Sequence, residues 1–455
     1  MDERVRPLND RPVRLGGKYV VYWCRWNRRV ESNHALLYAA NVANRVNLPL
    51  VCFERLSCAY PTACDRFHTF VLEGVAEFEA GLRKLGVGYI FQLPRRKSRG
   101  DAAMREVVAG AAAIVTDDCL RAAPAVDVQL LAVDASCIVP VSQIPERSYA
   151  AYAIRPRIHR MLPQYLRPVP KVELRCRSTR DFGHLHTRVT RNSVAELVAS
   201  CEIDHSVPPS TMFRGGRKEA MRRLRRFLDD RLRRYAKEKN EPSAHATSDL
   251  SPYLHYGHIS SLEVALAVRE HAEKHKLIAD EFLEELIVRR ELAFNFRRYT
   301  ENYDSLEALP EWARKSIAAH REDARAGYTR AQFEAAATHD DLWNAAQKEL
   351  RLRGKIHGYY RMYWGKKIVE WAASASEALA IMLYLHDRYA LDGDDPNTYA
   401  NILWCLGLHD RPWPDRPVFG AIRSMVRSGM ERKTDVGAYI REIECLESTG
   451  KELMA

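Results

Sequence analysis

The sequence predicts an α/β domain followed by a larger α-helical domain. Residues 18–140 alternate short apolar runs with helix-like stretches, a pattern typical of a parallel sheet with helices on both faces. After Phe213 the periodicity is almost wholly helical, and we find no internal repeats. A chain of 455 residues is long enough for two or three domains. We predict an α/β domain over 1–145, a linker over 146–212 and a helical domain over 213–455.

Five apolar segments in the first domain are expected to be buried strands, because they are short and rich in Val, Ile, Tyr and Phe. They read KYVVYWCRW, LPLVCFERL, VGYIFQL, AAIVTDD and QLLAVDASCIVP. Helices are predicted for SNHALLYAANVANRV, with Ser32 or Asn33 as its N-cap, and for residues 65–85. No G-x-G-x-x-G or Walker A sequence follows a strand, which argues against a dinucleotide or P-loop site there.

The linker region is rich in proline and has few long apolar repeats. Its one helical stretch, YAAYAIRPRIHRMLPQYL, is expected to lie against both domains. The next segment, residues 215–239, contains many arginines at helical spacing. We interpret these arginines as a solvated helix face rather than as direct contacts with a ligand.

Net charge and cysteine usage restrict the class of protein. The formal charge is +11 and the isoelectric point near 9.1, which makes a polyanion a plausible partner. None of the ten cysteines forms a C-x-x-C pair, and His271 and His275 lack a third ligand nearby, so we predict no metal site. The scattered thiols, the absence of a signal peptide and the lack of a long apolar run predict an intracellular protein without membrane segments.

The stretch TSDLSPY, residues 247–253, combines hydroxyls, backbone amides and a proline at a helix start. Free N–H groups at such a position attract anions. An ordinary N-cap and first turn would have the same composition, so the residues by themselves leave both interpretations open.

Three tryptophans, Trp343, Trp364 and Trp371, lie within residues 338–371. The last two are seven positions apart and therefore share a helix face, roughly 10 Å apart along the axis. Aromatic residues at helical spacing usually form a packed core, and spacing alone favours that interpretation. The alternative is a relay that carries an electron between a buried redox cofactor and solvent.

Three long motifs, LWNAAQ, HGYYRMYWGKKIVEW and GLHDRPWPDRPVFGAIRSM, resemble those of class II cyclobutane-pyrimidine-dimer DNA photolyases. The resemblance extends from about Tyr19 to Ile440. It implies light-driven repair of dimers in UV-damaged DNA, with an electron passing from non-covalent, reduced anionic FAD to a flipped-out lesion. It also implies an intracellular monomer, and an α/β domain that in this family can hold a second, light-harvesting antenna chromophore. The residues leave open whether an antenna is bound here.

The resemblance assigns roles to individual residues. Trp364, Trp343 and Trp371 correspond to the photoreduction chain, in the order nearest the flavin, middle and surface. The positions that correspond to FAD contacts are Tyr235, Thr247, Ser248, Leu250, Ser251, Asp392 and Asp394.

The resemblance also predicts the surroundings of the lesion. Glu285 corresponds to a glutamate at the dimer, where burial favours the protonated form that donates a hydrogen bond to a thymine carbonyl. Met362 and Trp404 correspond to lesion contacts. Basic side chains suited to DNA phosphates or to ion pairs near the tryptophans are Arg361, Arg411, Arg423, Arg432 and Lys433, with Arg361, Asp410 and Arg411 expected to form one ion-pair set.

Two departures from the family pattern concern the flavin and the lesion. His386 stands where related sequences have an asparagine that faces flavin N5, and Arg289 stands where several members have a tryptophan. Three alternatives remain: a (6-4) photolyase, which would want a catalytic histidine pair, a cryptochrome-like blue-light photoreceptor without repair, and a cofactor-free DNA-binding module.

Overall fold

The computed structural model describes residues 2–97, 102–118 and 125–450, and Cys119 lies outside them. A six-stranded sheet forms the first domain, with strand order β1-β6-β5-β2-β3-β4. The strands are β1 (Val5–Pro7), β2 (Tyr19–Cys24), β3 (Leu50–Arg55), β4 (Gly88–Gln92), β5 (Ala111–Asp117) and β6 (Gln129–Val133). All neighbours are parallel except β1 and β6. The predicted fold class, an α/β domain followed by a helical domain, is therefore confirmed.

Strand β1 was not predicted, because three residues in a polar N-terminal segment carry no strand periodicity. The last predicted strand is shorter than its apolar run. After Val133 the chain turns, because the carboxylate of Asp134 accepts hydrogen bonds from the backbone N–H groups of Ser136, Cys137 and Val141 at 3.0–3.1 Å.

Helices cover both faces of the sheet, because successive side chains of β2 point to opposite faces and are buried on each. Val20 and Tyr22 pack in the core under α1 (His34–Arg45) and α2 (Asp65–Leu85). The intervening residues of β2 face the opposite side, where α3 (Ala102–Gly110) packs. Of the two predicted caps of α1, Asn33 is the one that accepts hydrogen bonds from the first turn.

The segment between the domains contains α4 (Ala151–Tyr165) and α5 (Val194–Ala199). Ile154 in α4 is buried in a core that residues of both domains share. At the start of this segment, the buried carboxylate of Glu291 accepts hydrogen bonds from the N–H groups of Ile138 and Val139 at 2.6 and 3.2 Å. Burial raises the pKa of Glu291 to about 8.

The second domain is helical. Its helices are α6 (Arg217–Arg226), α7 (Leu232–Glu238), α8 (Ser251–His255), α9 (Ser261–His275), α10 (Asp280–Leu283), α11 (Arg290–Arg298), α12 (Glu311–Ala319), α13 (Arg330–Glu334), α14 (Asp341–Arg353), α15 (Gly358–Trp371), α16 (Ala375–Tyr389), α17 (Pro396–Trp404), α18 (Arg427–Glu431) and α19 (Val436–Thr449). π-helical turns at Phe227–Arg231 and Glu284–Arg289 join α6 to α7 and α10 to α11. Within the described ranges, no helix is both long and apolar enough to span a bilayer.

Candidate functional site

A cavity of about 550 Å³ lies among the helices of the second domain. Most of the residues assigned to FAD and the lesion line it, although they come from distant parts of the sequence. The sequence-assigned residues on its wall are Tyr235, Thr247, Ser248, Leu250, Ser251, Glu285, Arg361, Met362, Asp392 and Trp404. The fold thus brings the candidate cofactor and substrate positions into one enclosure.

One end of the cavity is built around the loop before α8. Asp249 has a left-handed backbone (φ 56°), and its carboxylate accepts hydrogen bonds from Lys355 Nζ at 2.6 Å and Arg231 Nη1 at 2.9 Å. Burial alone would raise the pKa of Asp249, but the two cations hold it well below its usual range. Because two cations face one carboxylate, a net positive charge remains beside the hydroxyls of Thr247 and Ser248. This end fits a diphosphate.

Sequence reasoning missed Lys355 and misjudged Arg231. The arginines of this helical stretch were expected to be solvated, yet Arg231 is buried against Asp249. Periodicity counts apolar positions and gives no signal for a buried ion pair between segments far apart in the chain. Lys355 follows a left-handed Gly354 at the end of α14, a position that reads from sequence as an ordinary helix C-terminus.

Asp392 and Arg361 lie at the other end of the cavity, and His386 lies beside Asp392 on a small adjoining space. Arg361 Nη1 lies 3.8 Å from Asp392 Oδ2, and His386 Nε2 lies 4.0 Å from Asp392 Oδ1. Burial lowers the pKa of His386 to about 4, so its imidazole is neutral near neutral pH. The other ring nitrogen, Nδ1, is buried and has no hydrogen-bond partner among the described residues. Buried polar atoms normally have a hydrogen-bond partner, and the polar edge of a flat ring bound in the cavity would supply one for Nδ1.

Two sequence assignments in this region are wrong in detail. Asp394 does not line the cavity: its carboxylate accepts from Tyr399 Oη at 2.8 Å and lies 3.5 Å from Arg297. The expected ion-pair set is also absent from the described residues. Arg361 pairs with Asp392, while Asp410 accepts from Trp413 Nε1 at 3.3 Å. Resemblance had suggested Asp394, and the direction of its side chain takes it away from this cavity.

The three tryptophans form a chain of ring contacts in the predicted order, with Trp343 between Trp364 and Trp371. The ring centroids of Trp343 and Trp364 lie 6.5 Å apart with nearly parallel planes, and those of Trp343 and Trp371 lie 6.2 Å apart. The indole of Trp364 donates to Gln347 Oε1 at 2.9 Å and, with His386, lines a small space beside the cavity. The rings thus form a continuous aromatic path that begins near the His386 end of the cavity.

The far end of this path differs from the sequence expectation. Trp371 was expected at the surface, but it is only 5% exposed. His339 and Tyr328 cover its ring, with centroids 4.8 and 5.9 Å away. An indole has a large apolar area, and the segment before α14 folds over it.

Glu285 lies on the cavity wall in the second π-helical turn, but it is not buried. Its side chain is 48% exposed, and Oε1 lies 3.5 Å from Lys239 Nζ. Arg289 pairs with Glu284 instead, and its guanidinium lies 5.5 Å from the ring of Trp404. The carboxylate and the cation over the indole therefore stand at the mouth of the same cavity.

Of the basic residues assigned to DNA or to ion pairs, Arg361 is half-buried on the cavity wall, whereas Arg411, Arg423, Arg432 and Lys433 are exposed. Arg411 and Arg423 flank Trp413 at 5.2 and 4.9 Å, and Arg432 and Lys433 follow α18. Each therefore has a charged group that solvent, or a phosphate, can reach.

A second cavity of about 430 Å³ lies between the two domains. Aromatic residues from both domains line it, among them Trp23, Trp26 and Tyr256. Arg28 also lies on its wall and forms a 2.7 Å ion pair with the buried carboxylate of Glu54. The cavity suits a flat, partly anionic molecule.

Comparison with known sequences gives close matches over the whole chain. A family model described as DNA photolyase matches residues 20–173. The deoxyribodipyrimidine photo-lyase of Methanothermobacter thermautotrophicus is 38% identical, covering 98% of this chain and 98% of the relative. The enzyme of the same name from Potorous tridactylus is 36% identical over 97% of this chain and 84% of the relative. That from Arabidopsis thaliana is 36% identical over 95% and 90%.

Solved structures share the fold at lower sequence identity. A class III photolyase from Agrobacterium tumefaciens has a TM-score of 0.67 and 17% identity, covering 97% of this chain and 93% of its own. An archaeal photolyase from Sulfolobus tokodaii, described with two FAD molecules and a novel light-harvesting cofactor, has a TM-score of 0.66 and 16% identity, covering 95% and 91%.

Proposed function

The chain belongs to the deoxyribodipyrimidine photo-lyases, enzymes of light-driven pyrimidine-dimer repair in DNA, and we propose that it is a class II member that repairs cyclobutane dimers. When bound, reduced FAD supplies the photoexcited electron that opens the dimer. The observation that carries the proposal is the single cavity in which the FAD-assigned and lesion-assigned residues meet.

The chain's own residues bind and orient. Lys355, with the hydroxyls of Thr247 and Ser248, would hold the diphosphate at the basic end, and Arg231 adds positive charge from behind Asp249. Asp392 and the neutral imidazole of His386 would hold the flavin ring at the other end.

The lesion enters from the mouth of the cavity. Met362 and Trp404 provide an apolar surface for a flipped-out dimer, and Glu285 stands at the rim as its polar contact. Extrusion is cheapest at a damaged, poorly paired site, which favours dimers over intact DNA. Assignment to class II rests on the motifs around Trp364 and Trp404.

We also assign the interdomain cavity to an antenna chromophore. Its aromatic walls suit a planar pigment, and Arg28 suits a negatively charged substituent. An absorption band of the purified protein that belongs to neither oxidised nor reduced FAD, and that weakens in Trp23→Ala, would support this assignment.

The absorption spectrum and a repair assay test the proposed function together. Purified protein is expected to show FAD bands, or to take up FAD on reconstitution, and to restore cyclobutane-dimer DNA under blue light. DNA that carries a (6-4) photoproduct is the control substrate and is expected to stay unrepaired. Protein that takes up no flavin would contradict the cofactor assignment. Flavin without repair of either lesion would favour a photoreceptor.

Glu285→Gln is expected to lower the quantum yield of dimer repair several-fold while FAD and DNA still bind. The Glu285 side chain stands on the cavity wall, where glutamine keeps its shape and a polar group but loses the charge, and alanine removes the polar contact altogether, so Glu285→Ala should lose more. Repair per absorbed photon at saturating damaged DNA measures the effect. Glu281→Gln is the matched control, because Glu281 pairs with the same Lys239 at 2.8 Å without lining the cavity. Equal yields in all three variants would make Glu285 a structural residue.

Arg432→Ala is expected to weaken DNA binding and to flatten its salt dependence. Each phosphate contact that is lost removes one released counterion, so the slope of log affinity against log salt should fall by about one. Titrations of damaged DNA at several salt concentrations measure that slope. Arg11→Ala provides the control, since Arg11 is an exposed arginine of the α/β domain paired with Asp127. An unchanged slope for Arg432→Ala would place this residue outside the DNA surface.

A further inference from the structure

Three potential metal ligands meet in a buried cluster that borders the interdomain cavity. Cys58, His68 and Cys201 are 0%, 1% and 3% exposed, and their ligand atoms all lie within 4.8 Å of one another. Cys58 Sγ lies 3.9 Å from His68 Nε2. The repair function proposed above uses none of these residues.

The fold holds the three residues together through the backbone. Cys58 follows β3, His68 lies in the first turn of α2 and Cys201 follows α5. Hydrogen bonds between the linker and the α/β domain flank the cluster: Asp204 N donates to Ala63 O at 3.0 Å, and Glu202 N donates to Arg95 O at 2.7 Å. The juxtaposition therefore belongs to the join between the linker and the first domain.

The chemistry of the three groups suits a borderline-soft cation. A neutral imidazole donates the lone pair of one ring nitrogen to a cation, and Nε2 is the nitrogen of His68 that lies 3.9 Å from Cys58 Sγ. A thiol gives up its proton when a cation takes its place, and the two thiols of the cluster lie within reach of the same imidazole. Arg95 Nη1, 3.9 Å from Cys201 Sγ, is placed to stabilise a thiolate there.

We propose that Cys58, His68 and Cys201 bind one Zn²⁺ ion through two thiolates and one imidazole, with water as the fourth ligand. Tetrahedral zinc with Zn–S near 2.3 Å and Zn–N of about 2.0–2.1 Å places its ligand atoms roughly 3.5–3.8 Å apart. The observed separations, 3.9 Å for one pair and at most 4.8 Å, require a closure of at most about 1.3 Å for any pair. Binding releases the two thiol protons, and no atom changes oxidation state.

The position of the cluster gives a zinc ion a route to the site and predicts an effect of its binding. His68 also lines the interdomain cavity, through which an ion and its water ligand can reach the site. Two ligands come from the α/β domain and one from the linker, so a bound ion would fasten the linker to that domain. Zinc binding is independent of the photochemistry, and its failure would leave the proposed repair function untouched.

Metal content of the full-length protein is the direct test. After incubation with Zn²⁺ and dialysis, the wild-type chain is expected to retain about one zinc per molecule. Cys58→Ser and Cys201→Ser should each retain less than about a tenth of that. Cys445→Ser, which removes a partly exposed thiol on α19, should retain the wild-type amount. X-ray absorption at the zinc edge should show two sulfur neighbours and lighter atoms.

A second measurement guards against variants that fail to fold. Wild-type protein stripped with a chelator should gain thermal stability when Zn²⁺ is restored, while folded Cys201→Ser, checked by circular dichroism, should gain none. Wild-type protein that retains no zinc, cysteine variants that retain as much as the wild type, or a Cys58–Cys201 disulfide in the purified chain would each overturn the proposal.

Discussion

Trp364→Phe is expected to abolish light-driven reduction of bound oxidised FAD and to leave repair by chemically reduced enzyme nearly intact. Trp364 begins the aromatic path beside His386, and its ring stacks on Trp343 at 6.5 Å. A phenyl ring is harder to oxidise than an indole, and a barrier only about 3 kcal/mol higher already slows a step by about 100-fold. Repair itself needs no electron from this path once the cofactor is reduced.

The measurement separates the two processes. Bleaching of the oxidised flavin band under blue light reports photoreduction. Dimer repair after dithionite treatment reports the repair step itself, without photoreduction. Trp312→Phe is the control, because that indole packs against Gly407 and is not one of the three contacting rings. A dithionite-reduced Trp364→Phe enzyme that binds damaged DNA without repairing it would show that Trp364 does more than relay electrons.

Asp249→Asn is expected to destabilise the helical domain by about 3–5 kcal/mol. The substitution keeps the shape but leaves Lys355 and Arg231 without their counter-charge in a buried site. Surface substitutions usually change stability by about 0.5 kcal/mol or less, so Asp230→Asn, at an exposed aspartate nearby, should behave like the wild type.

The pH dependence supplies a further check on Asp249. Its folded-state pKa is depressed, so its contribution is present above the unfolded value near 4 and is lost as pH falls through the folded value. The difference in thermal midpoint between wild type and Asp249→Asn should therefore be largest near neutral pH and shrink in acid. Equal thermal midpoints of the wild type and Asp249→Asn at neutral pH would mean that the charge of Asp249 does not stabilise the domain.

Local patterns in the sequence were sufficient for the fold class and for most of the cavity wall. Helix α2 begins and ends where periodicity predicted, four strands lie within their apolar runs and β5 begins one residue before its run, because burial imposes a period on neighbouring residues. The long motifs brought Thr247, Asp392 and Trp364 to attention through resemblance. Spacing alone had favoured a packed core for the tryptophans.

Tertiary structure decided what depends on side-chain direction and on contacts between distant segments. It placed Lys355 against Asp249, turned Asp394 away from the cavity, covered Trp371 and left Glu285 half exposed. It also assembled the ligand cluster of Cys58, His68 and Cys201, which no short spacing announces. Periodicity reports which face of an element is buried, whereas these features depend on which elements meet there, and only the folded chain determines that.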